Sequence, residues 1–304
     1  MERTTNRVEI EYSPGLRLLL VRPDDAEGPL PVIVWVHGGG WRSGDRHDSP
    51  DLHEYFARHG FAMVSIDYRL APHSIFPAQL LDVRSALRWI RVNSLEHGLN
   101  PDSVGLWGAS AGGHLAALAG LMASIPTLPE ESATGGVSAA VHSVVTGYAP
   151  IDLTDRFPLA ASRESVEAFL GGTPEEKPEL ARQASPIFHV NSAAPPFLIM
   201  QGTADEFVPS RHAEALFEAI AAANHEATLY LIDGFGHGFF EPSPDADNPA
   251  DNPLPRLQAE PDSQASVRVK RHRHREEKVT DRKASFNTVL DFFVSTLKHN
   301  PAAQ

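Results

Sequence analysis

Short, unbroken apolar runs alternate along the chain with longer stretches whose apolar residues recur every three or four positions. Residues 32–38 (VIVWVHG) and 62–68 (AMVSIDY) are largely apolar at successive positions. Strands covered on both faces, as in parallel sheets, carry that signature. The runs at 104–108 (VGLWG), 140–150 (AVHSVVTGYAP), 196–202 (PFLIMQG) and 227–233 (ATLYLID) read the same way. Between them, Leu80, Val83, Leu87 and Ile90 share one face of a helix predicted over 79–93. The Ala-rich stretch 112–123 and the stripe Ala213, Leu216, Phe217 and Ile220 predict two more helices. The leading segments 8–12 (VEIEY) and 16–21 (LRLLLV), joined by Pro14-Gly15, predict a hairpin at an antiparallel edge. A last helix begins near Ser285, with Phe286, Val289, Phe292, Phe293 and Leu297. Strands alternating with helices imply right-handed crossovers. The expected class is α/β, a mostly parallel central sheet with helices on both faces.

Two regions interrupt the alternation. Residues 151–195 hold a short helical stretch at 165–170 and then GGTPEEKPE, and are expected to form a small lid or cap. Residues 241–282 contain six Pro and no aromatic residue, acidic in the first half and basic in the second. Within them, RVKRHRHREEK (268–278) packs six Lys/Arg and two His. So little apolar material predicts a polar, mobile insertion before the last helix. The 304 residues then read as a single domain, 1–304, carrying two insertions.

Charge and composition narrow the chemistry. Asp and Glu outnumber Lys and Arg by 39 to 26, a net charge of −13. That balance argues against nucleic acid or an anionic membrane as partner. The basic run is then a solvated segment with acidic partners in its own chain. The chain has no Cys, which excludes disulfides, thiolate metal sites and a cysteine nucleophile. No H-E-x-x-H occurs, and no metal or other cofactor is expected. No apolar run approaches the ~20 residues of a membrane span, so no stable membrane insertion is expected. The polar start MERTTNRVEIEY lacks the apolar stretch of a signal peptide, so a cytoplasmic location is expected.

One constellation carries chemistry. Gly108-Ala109-Ser110-Ala111-Gly112 is G-x-S-x-G, set between a predicted strand and a predicted helix. A serine at such a turn stands out over the sheet edge, and the helix N-terminus offers free N–H groups. Its hydroxyl needs a base. His237, in GFGHGFF after the strand at 227–233, supplies one; Asp205, in QGTADEFVP after the strand at 196–202, would orient it. The chain order Ser110, Asp205, His237 is that of sheet hydrolases. Asp233 and Glu206 are the rival carboxylates, and His114 reads as a packing or polar-contact residue. His37-Gly38-Gly39-Gly40-Trp41 follows the strand at 32–36, and its N–H groups, with that of Ala111, would line an oxyanion hole.

HGGGW, DYRLAP (67–72), GASAGG (108–113), GTADEFVP (202–209) and GFGHGF (234–239) together resemble the α/β-hydrolase carboxylesterases. The likeness is to the hormone-sensitive-lipase-like group and the neighbouring feruloyl-esterase-like and kynurenine-formamidase-like group, over residues 15–240 and the final helix. It implies an α/β-hydrolase fold with Ser110, Asp205 and His237 as triad and Gly39, Gly40 and Ala111 as oxyanion donors. It also implies that Asp67 and Arg69 brace the oxyanion loop. Trp41, Phe207 and Phe239 become candidate pocket aromatics by position after these motifs, along with Phe76 and Phe240. Trp41 reads equally well as core.

The function expected is a serine carboxylesterase acting on short- to medium-chain or aryl esters through an acyl-enzyme. The same triad also suits an amidase, such as an arylformamidase, or a peptidase. A non-catalytic receptor on the same fold would typically have lost the base or the nucleophile. The expected partner is a small-molecule ester, and self-association as a homodimer is left open.

Overall fold

A computed structural model of the chain describes residues 4–123, 125, 128, 131, 136–240, 267–273, 276–282 and 284–298. Among these residues, ten strands form one sheet: β1 Thr5–Ser13, β2 Leu16–Pro23, β3 Leu30–Val36, β4 Ala62–Ile66, β5 Leu99–Ala109, β6 Ser143–Gly147, β7 Phe197–Gly202, β8 Ala227–Ile232, β9 Val267–Arg273 and β10 Glu276–Arg282. Their order is β1-β2-β4-β3-β5-β6-β7-β8-β9-β10. The centre, from β4 to β8, is parallel, and antiparallel pairs close each end. The helices are α1 Leu52–Tyr55, α2 Ala78–Val92, α3 Ser94–His97, α4 Ala111–Leu121, α5 Arg163–Leu170, α6 Pro178–Gln183, α7 Arg211–Ala222 and α8 Phe286–Phe293. Among the described residues, none is long and apolar enough to cross a membrane.

The continuous apolar runs are explained by the two-sided burial of the sheet. In β3, Val32, Val34 and Val36 face a core shared with α2, α4 and α7, while Ile33 and Trp35 face a second core shared with α1 and α8. Period-two alternation is present, but both phases are apolar. Register places Trp35 beside Trp107 of β5, ring centroids 4.6 Å apart and edge-on. The chain leaves β3 toward α1 on one face and leaves neighbouring β5 toward α4 on the other. Connections that part to opposite faces open a crevice at the carboxyl ends of the two strands. The loop after β3 is HGGGW and the loop after β5 is the Ser110 turn.

The segment 151–195 contains α5, α6 and two short 3-10 turns, Ala160–Ser162 and Pro186–His189. Its helix α5 ends at Gly171, whose φ of 68° suits glycine. The expectation for 241–282 is corrected in its second half. Residues 241–266 lie outside the described residues, but β9 and β10 are sheet strands rather than a mobile excursion. β9 pairs antiparallel with β8, from Ile232 opposite Val267 to Ala227 opposite His272. Val267 and Val269 are buried and alternate with Arg268, which is exposed, and Lys270. An antiparallel strand with one wet face needs an apolar residue only at every second position. Arg268 and Lys270, from the run that made the tract look soluble, occupy the intervening ones, and the apolar alternation stops at Arg271, which shares the phase of Val267 and Val269.

Candidate active site

Ser110 sits where β5 turns into α4, at φ 53° and ψ −121°. Positive φ is costly for a residue with a Cβ, and it persists here because the neighbours leave no alternative. The Ser110 N–H donates to the Gly147 carbonyl at the end of β6 (2.9 Å), and its own carbonyl accepts from the His114 N–H (2.9 Å). Gly112 lies against the end of β3, where a Cβ would collide with the carbonyls of Val36 and His37. A Cβ on Gly108 would collide with the backbone of Gly112. Glycine at both positions lets the turn close onto the sheet.

The structure brings the three polar residues together in one hydrogen-bonded chain. His237 Nε2 lies 2.8 Å from Ser110 Oγ, and His237 Nδ1 lies 2.9 Å from Asp205 Oδ2. A carboxylate only accepts, so Nδ1 carries the proton and Nε2 is left to accept from the serine hydroxyl. Asp205 is held on every side. Its Oδ1 accepts from the N–H groups of Phe207 and Val208 (both 2.9 Å), and its Oδ2 also accepts from Gln201 Nε2 (3.0 Å). The rivals are elsewhere: Asp233 Oδ1 accepts from Thr203 Oγ1 (3.1 Å), and Glu206 is exposed.

The loop after β3 depends on glycine. Gly39 and Gly40 have φ of 92° and 59°, and a Cβ on Gly39 would collide with the Ser43 carbonyl. The Gly39 carbonyl accepts from the N–H groups of Arg42 (3.0 Å) and Ser43 (3.1 Å). Tyr68 supports the loop, its hydroxyl 3.0 Å from the carbonyls of both His37 and Gly38 and its ring stacked on His37. Ala111 opens α4, so its N–H has no partner within the helix. Asp67 accepts from the backbone N–H groups of Arg17 and Arg46, and Arg69 grips Asp82; both hold this end of the sheet together.

The expected pocket aromatics separate. Phe207 is 51% exposed, with its ring 5.4 Å from that of His237. Trp41 is 2% exposed and stacked on Phe169 of α5, so it anchors the loop in the core instead of flooring a pocket. Phe239 as a pocket residue is corrected: it is fully buried, against Tyr148, Phe235 and Phe240 on the far side of the sheet. Its turn points it inward, and adjacency to His237 in sequence carried no information about direction. Phe76 and Phe240 are likewise buried. Sequence reasoning missed Gln201 and Tyr148. Gln201 is an inward polar residue in an apolar strand, a signal that could have marked it. Tyr148 stands edge-on to His237 (4.6 Å) and carries no motif.

Segment 151–195 is tied to this site by several polar contacts. Arg42 pairs with Glu164 (2.8 Å), and Ser165 Oγ lies where a Cβ on Gly40 would need to be. His114 is fully buried; its Nδ1 accepts from Trp41 Nε1 (3.3 Å) and its Nε2–H donates to the Ala184 carbonyl (2.6 Å). His212 repeats the pattern, accepting from the Ile151 N–H (3.1 Å) and donating to the Phe157 carbonyl (3.0 Å). Burial, which disfavours the charged form, lowers each histidine's pKa to about 4. Burial also pushes His37 down.

A parallel sheet with helices on both faces, carrying a serine at a strained strand-to-helix turn, defines an α/β-hydrolase. The chain belongs to the BD-FAE family, whose model matches residues 18–220. It is 37% identical over 223 residues to "Esterase LipC" of Mycobacterium tuberculosis, covering 72% of this chain and 55% of that protein. The chain thus spans about half the length of the curated relatives it matches. Among solved structures it resembles a truncated carbohydrate esterase from gut microbiota, with TM-score 0.70 and 27% identity over 77% of this chain and 89% of the other. It also resembles Thermogutta terrifontis esterase 2 phosphonylated by sarin, with TM-score 0.67 and 27% identity over 78% and 87%.

Proposed function

We propose that the protein is a serine carboxylesterase acting on short- to medium-chain or aryl esters through an acyl-enzyme. The observation that carries this reading is the chain Ser110 Oγ–His237–Asp205 at the strained turn. Ser110 Oγ attacks the ester carbonyl carbon while His237 Nε2 takes its proton. Asp205 holds the imidazole in the required tautomer and stabilises the imidazolium. The N–H groups of Gly39, Gly40 and Ala111 receive the oxyanion. Collapse of the tetrahedral intermediate expels the alcohol, which takes the proton from His237. Water, deprotonated by the same nitrogen, then attacks the acyl-serine, and its collapse returns the proton to Ser110 and frees the acid. The relatives' names favour esters over amides, and the half-exposed ring of Phe207 beside His237 offers a face to an acyl or aryl group.

A fluorophosphonate probe combined with peptide mass mapping tests the nucleophile. One adduct per chain, on the peptide containing Ser110, is expected, together with hydrolysis of p-nitrophenyl acetate and much slower cleavage of p-nitroacetanilide. No adduct, or an adduct elsewhere, would reject the reading. Methyl hydroxycinnamates set against p-nitrophenyl esters of increasing chain length then rank the acyl groups.

A further inference from the structure

Tyr148 follows β6, where the backbone of Gly147 and Tyr148 is tied to the Ser110 turn on one side and to β7 on the other. The residue before it, Gly147, accepts the Ser110 N–H (2.9 Å), and the Tyr148 N–H donates to the Met200 carbonyl in β7 (2.8 Å). β7 is the strand that leads to Asp205. The side chain then crosses to the third segment of the site. Its ring lies edge-on to the His237 ring, centroids 4.6 Å apart at 63°, and its hydroxyl accepts the N–H of Phe240, three residues beyond the histidine (3.2 Å). Tyr148 is fully buried, yet it sits at φ 39°, in the left-handed region that a residue with a Cβ avoids. Ser110 shares that feature, and the two strained residues are linked through Gly147. A ring needed only for filling could be supplied from an unstrained backbone position.

We propose that Tyr148 is a positioning residue that holds the His237 imidazole in register with Ser110. Ring contact limits the tilt of the imidazole, and the hydroxyl pins the turn that carries it. The proposal rests on the esterase reading above. Small displacements of a general base cost rate steeply, because proton transfer needs both distance and direction. Removing the hydroxyl leaves a buried N–H at Phe240 without this acceptor, which pushes the turn toward another arrangement.

Tyr148→Phe and Tyr148→Leu test it, with kcat divided by the concentration of sites titrated with a fluorophosphonate so that misfolded chains do not count. Tyr148→Phe is expected to lose roughly 10- to 100-fold in kcat with KM within about twofold, and to slow phosphonylation by the same factor. Tyr148→Leu, lacking the ring as well, is expected to lose more. A pure packing role would lower Tm and leave kcat per titrated site unchanged, which overturns the proposal. So would a Tyr148→Phe chain that does not accumulate folded, since the hydroxyl would then serve folding. The unmodified chain separates the two levels. If it takes no label, the esterase reading falls and the positioning role with it. If it labels and Tyr148→Phe matches it in kcat, only the positioning role falls.

Discussion

Ser110→Ala is expected to lower kcat for p-nitrophenyl acetate by roughly 10⁵- to 10⁶-fold and to leave the fold intact. The size follows from the unit-like behaviour of such triads, in which loss of the nucleophile costs about as much as loss of all three members. The hydroxyl donates only to His237 Nε2, at 2.8 Å, so its removal breaks one hydrogen bond and empties little volume. Stability should move by no more than about 1 kcal/mol. Ser110→Gly sharpens the test. The φ of 53° belongs to glycine, and strain of this kind is worth about 1–3 kcal/mol. The glycine variant should therefore be as inactive as the alanine variant, yet melt at a higher temperature than it. Calorimetry beside steady-state kinetics checks both. Residual kcat above about 1% of the parent value would show that another group does the chemistry.

Acidification from pH 7.5 to 5 is expected to destabilise the fold by several kcal/mol, largely through His114 and His212. Both are neutral in the fold, with pKa about 4, against 6.5 for a solvated imidazole. Between those values the unfolded chain binds a proton that the folded chain does not. Stability therefore rises with pH, and is lost as pH falls through 6.5 toward 4. Integrated to pH 5, each histidine accounts for about 2 kcal/mol. Protonation would place a hydrogen on Nδ1, the atom that accepts from Trp41 in one case and from the Ile151 N–H in the other. The bonds lost tie segment 151–195 and the loop after β3 to the body of the fold, so activity should fall alongside stability. His37, His142 and His189 are shifted the same way by burial and add to the slope. Glu131, lowered to about 2, loses its contribution only below pH 4.5 and lies outside this window. Urea unfolding at both pH values measures the difference. His114→Asn and His212→Gln should each flatten it by about 2 kcal/mol. An unchanged pH slope in the double variant would refute the assignment.

Where a segment's own pattern demanded one environment, the sequence was sufficient. VIVWV, short and rich in β-branched residues, reads as a strand covered on both faces. The glycines around Ser110 are required because Gly108 and Gly112 touch backbone, a constraint local enough to leave a motif. Asp205 and His237 were legible because both stand in glycine-rich or turn-forming loops just past apolar strands. The tract 267–282 misled for the converse reason. A one-sided antiparallel strand shows only Val267 and Val269 as its apolar signal, and that signal is lost among basic residues.

Direction was the other thing the chain left unsaid. Trp41, Phe207 and Phe239 are all aromatic and all next to motifs, yet one anchors a loop, one stands in solvent beside His237, and one fills the opposite core. A rotation of one position about a turn moves a side chain from one face of the sheet to the other, and nothing in composition records it. Tyr148 shows the same limit, since its neighbours in space come from β7 and the turn after β8. The sequence by itself determined the strand order's raw material, the elbow and the three polar residues, because each is a local demand of backbone geometry or chemistry. Only the tertiary structure decided which aromatic rings meet the histidine and where the basic hairpin goes, because those contacts join segments far apart in the chain.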